Sequence, residues 1–248
     1  MVGAGPSYTD RPGATGAAYL LTHGLHALLL DLGQGSFPRL AGLLDPADLD
    51  AVVVSHLHPD HFIDLVPLRL YLRWEPPAGR RVRVIGPMGL AHRLDDLHGE
   101  VGFAAASLDI ADLSEGTFTV GGASGFEVTA RRVTHTDASF AFRVSQAGSD
   151  GPGLVYSGDC GRAADLDPLV RPGDTLLCEV SFGPGPVPVT ALHLDGPLVG
   201  ELAARTGAAR VLLTHLQMGF DRDETVASVR ARFGGPVDLV DPGDRFTI

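Results

Sequence analysis

The sequence has little of what marks secreted, membrane or nucleic-acid-binding proteins. Its 248 residues include two cysteines, Cys160 and Cys178, too few for a disulfide framework. The start lacks a basic segment followed by an apolar signal core, and no apolar run reaches the ~20 residues that span a bilayer. We therefore expect a cytoplasmic protein with no membrane partner. Basic residues are also in deficit: 19 Lys and Arg stand against 30 Asp and Glu, for a formal net charge of -11. That balance argues against a broad basic surface that grips many phosphates. We find no low-complexity tract or internal repeat. With hydrophobic residues at 44% and charged residues at 20%, the chain has an ordinary globular balance, and one domain over residues 1–248 is expected.

What is present alternates strands and helices. Ala17 to Leu21 and Ala27 to Leu32 read as a hairpin around Gly24, and Ser36 to Leu44 has helical spacing. Val52 to Val54 is a buried strand, and Phe62 to Trp74 a helix with Ile63, Val66, Leu70 and Trp74 near one face. Strands are predicted at 82–85, 126–134, 139–144, 154–157, 175–180, 211–214 and 237–240, and helices at 90–97, 163–170, 194–205 and 224–233. The order suits two facing sheets covered outside by helices, an α/β class, and also a three-layer sandwich of another topology. The loop-like start Met1 to Pro6, with no strand leading into its glycines, suggests a truncated first strand or a sheet edge finished by other means.

One hexapeptide carries chemistry. His56, Leu57, His58, Pro59, Asp60, His61 places three imidazoles and a carboxylate directly behind the run Ala51 to Val54. These are the usual donors for zinc and neighbouring first-row metals, and on a strand-to-helix turn they can converge. His135, Asp159 and His215 each follow an apolar strand in the same way, and strand ends form the ligand crevice of open α/β sheets. His193 is a further donor near a predicted helix start.

This ordered set, H-x-H-x-D-H, a later His, a later Asp and a final His, resembles the metallo-β-lactamase superfamily over nearly the whole chain. The resemblance implies a four-layer αβ/βα sandwich and two divalent metal ions. His56, His58 and His135 would serve one, Asp60, His61 and His215 the other, with Asp159 bridging. Zinc is the first expectation, although the same donors accept manganese or iron. Two neighbouring dications can lower the pKa of a shared water towards neutrality. Ser157, Gly158, Asp159 resembles the S-G-D-T of the ribonuclease Z and phosphodiesterase branch, with Cys160 in place of Thr. Glu179 at a strand end and His193 resemble a pair that acts at the scissile phosphate there, Glu179 orienting His193 and His193 serving the leaving oxygen. Asp60 is implied to help orient the nucleophile. Asp31, in a turn resembling D-x-G-x-G, is implied to support the metal histidines from behind.

Only Thr136 to Gly158 separates His135 from Asp159, so the arm with which the transfer-RNA 3′ endonucleases of that branch grip RNA is absent. Large RNA is therefore not the expected partner. The reading is a dinuclear hydrolase of small or cyclic phosphodiesters; members of the branch often form homodimers. Three rivals stand beside it: a transfer-RNA 3′ endonuclease, a hydrolase of thioesters, lactones or sulfate esters on the same metals, and a non-catalytic metal-dependent binding module. Cys160 is expected to be a buried filler, and Arg80, Arg81 and Arg83 a solvated edge.

Overall fold

The computed structural model describes residues 1–77 and 79–248. Strands β1 (Tyr19–His23) and β2 (His26–Leu30) form the expected hairpin, with Gly24 at φ 58° making the turn that a side chain would strain. Helix α1 (Phe37–Ala41) and strand β3 (Ala51–Val53) follow. The predicted helix at 62–74 is two pieces, α2 (Pro59–Phe62) and α3 (Leu65–Trp74). The break falls at Ile63 and Asp64, where the Asp64 N–H leaves the helix to donate to the Leu32 carbonyl and its carboxylate accepts from the Phe37 N–H. The buried face of α3 is Leu65, Leu68 and Leu72, while Trp74 is 70% exposed, so the face named from the sequence lies beside the one that packs.

Strand β4 (Val82–Gly86) and helix α4 (Leu90–His98) fall where expected. Strands β5 (Leu108–Asp112) and β6 (Gly116–Val120) were not predicted; their residues are largely exposed or half-buried, so they lack the apolar run that announces a central strand. Long strands β7 (Phe126–Val133) and β8 (Ser139–Gln146) pair antiparallel. After β9 (Leu154–Tyr156), the predicted helix at 163–170 is only a single 3-10 turn, Ala163–Leu166, because Pro168 has no N–H to continue it. Then come β10 (Thr175–Glu179), α5 (Gly196–Thr206), β11 (Arg210–Thr214), α6 (Arg222–Arg230) and β12 (Val237–Leu239).

The sheets are unequal, with five and seven strands. One runs β1-β2-β3-β4-β5, the other β12-β11-β10-β9-β8-β7-β6. Between them lies a core that includes Tyr19, Leu30, Val53, Phe142, Tyr156 and Leu212. Outside the first sheet, Val52, Val84, Leu65, Leu68 and Leu94 pack α3 and α4 against it; outside the second, Val211, Leu176, Val199 and Val229 do the same for α5 and α6. Three apolar layers separating helix, sheet, sheet and helix make the four-layer αβ/βα sandwich. Met1 to Gly5 forms no strand: Gly3 makes an isolated bridge to Ala18, and the Ala4 carbonyl accepts the His215 N–H at 3.0 Å. Among the described residues no helix is long and apolar enough to cross a membrane.

Candidate metal centre

β2, β3, β7, β9, β10 and β11 end at the same rim. Asp31 follows β2 directly, His56 stands three residues beyond β3, and His135 and Asp159 follow β7 and β9. Glu179 closes β10, and His215 follows β11. Pro59, first in α2, starts the turn that puts Asp60 and His61 below His56. Among the described residues, Asp31 and His215 alone combine a side chain with a left-handed backbone, at φ 59° and 60°. Such strain, of order 1–3 kcal/mol each, persists where the surroundings over-determine it.

The convergence is tight. One donor atom each from His56, His58, His135 and Asp159 lies within 4.8 Å of the others, as it does for Asp60, His61 and His215. Asp159 stands between the groups: one carboxylate oxygen is 3.7 Å from His56 Nε2 and 3.6 Å from His135 Nε2, the other 3.3 Å from His61 Nε2 and 3.5 Å from His215 Nε2. His215 Nε2 is 3.1 Å from Asp60 Oδ2. His58 is exposed at the mouth, whereas His56, Asp60, His61, Asp159 and His215 are buried. The fit to cations shows in two orphaned atoms: Oδ1 of Asp60 and Oδ1 of Asp159 are buried and make no hydrogen bond. Buried carboxylate oxygens in a ring of imidazoles need a positive charge or a donor. Every sequence-predicted donor is in this ring except His193 and Glu179, which adjoin it, and Asp31, which lies behind.

The imidazoles are held from the back. Asp31, fully buried, accepts from the Ser55 N–H (2.6 Å), the Ser55 hydroxyl (2.7 Å) and the Tyr156 hydroxyl (2.7 Å), and meets His61 Nδ1 at 2.7 Å. That places the His61 proton on Nδ1 and leaves Nε2 to face the centre. The Leu192 carbonyl does the same for His135 Nδ1 at 2.8 Å. Ser181 Oγ lies 3.0 Å from His215 Nδ1 and 3.2 Å from His193 Nδ1, and donates to Glu179. Sequence reasoning missed Ser55, Tyr156 and Ser181. Only Ser55 carried a signal, as the residue between the strand and the hexapeptide.

Glu179 is fully buried and accepts from the Cys160 N–H (2.8 Å) and the Ser181 N–H (3.1 Å), with Oε1 2.9 Å from His193 Nδ1. His193 does not open a helix. It sits in the loop ahead of α5, whose N-cap is Asp195, with Oδ1 accepting from the Leu198 N–H at 3.0 Å. One ring nitrogen of His193 lies within 4.8 Å of donor atoms of both Asp159 and His215. Cys160 is buried, with its thiol donating to the Arg162 carbonyl.

Electrostatics follow the packing. Burial and neighbouring His61 push His56 well below the usual histidine range, and burial with His135 lowers His58. Burial also disfavours charge on His61, but the Asp159 and Asp31 carboxylates outweigh it and raise that imidazole well above its ordinary value. His215 is raised in the same way by Asp159 and Asp60, and His193 by Glu179. Asp60 and Asp159, despite burial, are held far below the carboxylate range by the surrounding imidazoles.

The comparisons with known proteins agree with this architecture. An uncharacterized protein of Mycobacterium leprae is 32% identical over 227 residues, 89% of this chain and 78% of that protein. Ribonuclease Z of Mycobacterium marinum is 26% identical over 271 aligned positions, 96% of this chain and 94% of that enzyme. The probable metallo-hydrolase YhfI of Bacillus subtilis is 26% identical over 227 residues, 92% of this chain and 90% of that protein. Its crystal structure superimposes with a TM-score of 0.85 over 98% of this chain and 96% of its own, at 24% identity. The β-lactamase superfamily domain matches residues 29–216, from the strand that leads into Asp31 to the residue after His215, and the chain belongs to that superfamily.

Proposed function

We propose that the chain is a single-domain, dinuclear metal-dependent phosphodiesterase acting on small or cyclic phosphodiesters. The observation that carries the reading is the Glu179–His193 pair beside a ring of seven donors divided into two groups by Asp159. His56, His58 and His135 would hold one ion, Asp60, His61 and His215 the other, and Asp159 both, with zinc the first choice and manganese or iron served by the same donors. Two such cations supply a water ionised near neutral pH and positive charge for the phosphoryl oxygens.

The chain's own residues do the rest. Asp60, with one oxygen free of hydrogen bonds, accepts from the attacking water and orients it. His193 donates Nδ1–H to Glu179, so its Nε2 is the atom that holds a proton for the leaving oxygen. A phosphodiester needs that proton because its leaving group departs as an alkoxide. Asp31, through His61, and Ser181, through His215, fix the rings without touching substrate.

A small substrate is supported by the short β8–β9 connection between His135 and Asp159, and by the net charge of -11. Ribonuclease Z acts, by its name, on RNA; its alignment needs 271 positions against 248 residues here, so it carries segments that this chain lacks. We place the protein in the cytoplasm, as a homodimer by its resemblance to that branch. The test is hydrolysis of bis(p-nitrophenyl) phosphate by protein loaded with Zn²⁺ or Mn²⁺, followed by cyclic against linear nucleotides and precursor transfer RNA. Turnover of the diester and a cyclic nucleotide is expected. Activity confined to thioesters, lactones or sulfate esters, or no turnover with any metal, would overturn the reading.

A further inference from the structure

The chain has no lysine; all 19 of its basic residues are arginine. Three of them, Arg11 from the N-terminal loop, Arg39 from α1 and Arg222 from α6, come from segments far apart in sequence to line one cavity of about 170 Å³. In a protein of net charge -11 that meeting of like charges has a cost, which burial and neighbouring Arg222 register by lowering the pKa of Arg11. Arg222 is answered by Asp241, which it grips at 2.9 and 2.6 Å and which lines the same cavity, so its fork is already committed. Arg11 and Arg39 have no carboxylate oxygen within 4.0 Å among the described residues. Asp10 and Asp241 offset Arg11 in part, and Asp10, Asp221 and Asp223 line the neighbouring hollow, whose wall also includes Arg11 and Arg222.

Both unanswered guanidinium groups are tethered yet not satisfied. Arg11 donates one NH group to the Leu216 carbonyl at 3.1 Å, and Arg39 one to the Gly13 carbonyl at 2.9 Å. Each keeps further N–H donors uncommitted, arranged in the planar fork that matches an oxyanion. The cavity also shares a wall with the metal centre. Ala4, whose carbonyl accepts the His215 N–H, and Leu216, the residue after His215, both line it.

We propose that the cavity walled by Arg11, Arg39 and the Arg222–Asp241 pair is a binding site for a phosphate-class oxyanion held by the free donors of Arg11 and Arg39, separate from the metal centre and adjoining it. The oxyanion is either a second phosphate on the substrate or a free phosphate acting as an effector, and both place the same tetrahedral dianion between the same forks.

Binding is tested apart from turnover, so it stands whether or not the hydrolase reading does. Crystals of the metal-loaded protein are soaked in millimolar tungstate, and inorganic phosphate is titrated calorimetrically into wild type, R39Q and R11Q/R39Q. Expected are an anomalous peak between the Arg11 and Arg39 guanidinium groups and two phosphate-binding events in wild type. One of them weakens about tenfold or more in R11Q/R39Q, the size of one lost charge-assisted pair. R39Q alone, at an exposed position, moves the same event in the same direction. No peak in the cavity, or isotherms that the variants leave unchanged, overturns the proposal. The source is then read from kinetics. If the substrate supplies the phosphate, R11Q/R39Q lowers the kcat/KM ratio of a 5′-phosphorylated dinucleotide to its unphosphorylated form about tenfold. If the phosphate is free, that ratio holds and the variant loses only the component of the rate response to added phosphate that follows the cavity's binding event.

Discussion

Asp31 Oδ2 lies 2.7 Å from Nδ1 of His61, both side chains fully buried, and Asp31 holds this contact from a left-handed backbone at φ 59°. Asn adopts that conformation as readily as Asp, so Asp31→Asn removes the charge with little backbone strain. We expect metal affinity to fall about 10–100-fold, the usual effect of losing a partner behind a ligating histidine. Competition against a chromophoric chelator measures it, and unchanged affinity would remove Asp31 from the support of His61.

Metal loading should expel protons. Carboxylates raise His61 and His215, so both remain protonated to higher pH than a free histidine, and a cation must displace those protons. Apparent affinity therefore strengthens as pH rises towards and through the raised values and weakens as pH falls. Calorimetry of metal binding in buffers of different ionisation enthalpy counts the protons released; a heat independent of buffer would contradict the assignment.

For catalysis the sign runs the other way. Glu179 raises His193, so the protonated ring persists to higher pH, and with His193 as the proposed general acid its loss should set the alkaline limb of the rate profile. Glu179→Gln removes the carboxylate and should move that limb to lower pH, while His193→Ala should abolish it and lower kcat about 10²–10⁴-fold, the range for general acid catalysis. Full pH–rate profiles of kcat decide, and a limb unmoved in both variants would exclude the pair from proton transfer.

Gly33 tests the placement of Asp60. A Cβ on Gly33 would stand 1.8 Å from the Asp60 carbonyl oxygen, a backbone atom that itself accepts the Ala17 N–H. Gly33→Ala should displace the start of α2, weaken one metal site more than the other and cost about 1–3 kcal/mol as overpacking. Metal stoichiometry together with urea unfolding reports both effects, and two full equivalents at wild-type stability would show that the contact yields freely.

Far from the metal centre, Arg143 binds Asp174 through two 2.9 Å contacts with both side chains buried. Arg143→Met leaves the carboxylate behind without its cation, and a loss of about 3–5 kcal/mol is expected. Urea denaturation measures it; because the Gly153 and Arg171 N–H groups also donate to Asp174, Arg143→Met/Asp174→Leu should not recover most of the loss.

The donors were legible because each follows an apolar strand, and strand ends advertise themselves. Ser55, Tyr156 and Ser181 were not, since a hydroxyl behind an imidazole leaves no spacing to read; only the packed fold shows which serine faces which ring. His193 was found by resemblance but misplaced at a helix start, although Asp195, three residues before Leu198, was available as the cap. Strands β5 and β6 escaped because they lie at the sheet edges, half in water, where apolar alternation fades.

The donors are also divided between the sheets. His56, His58, Asp60 and His61 hang from the end of β3, whereas His135, Asp159 and His215 belong to β7, β9 and β11 of the opposite sheet. Neither sheet alone carries the full donor set for either of the two proposed ions, so a seated cation would stitch the two together, and its binding free energy would become cohesion across the sandwich. The complete rim exists only where the two sheets are docked, so a cation that seats there would favour the docked arrangement over the separated one.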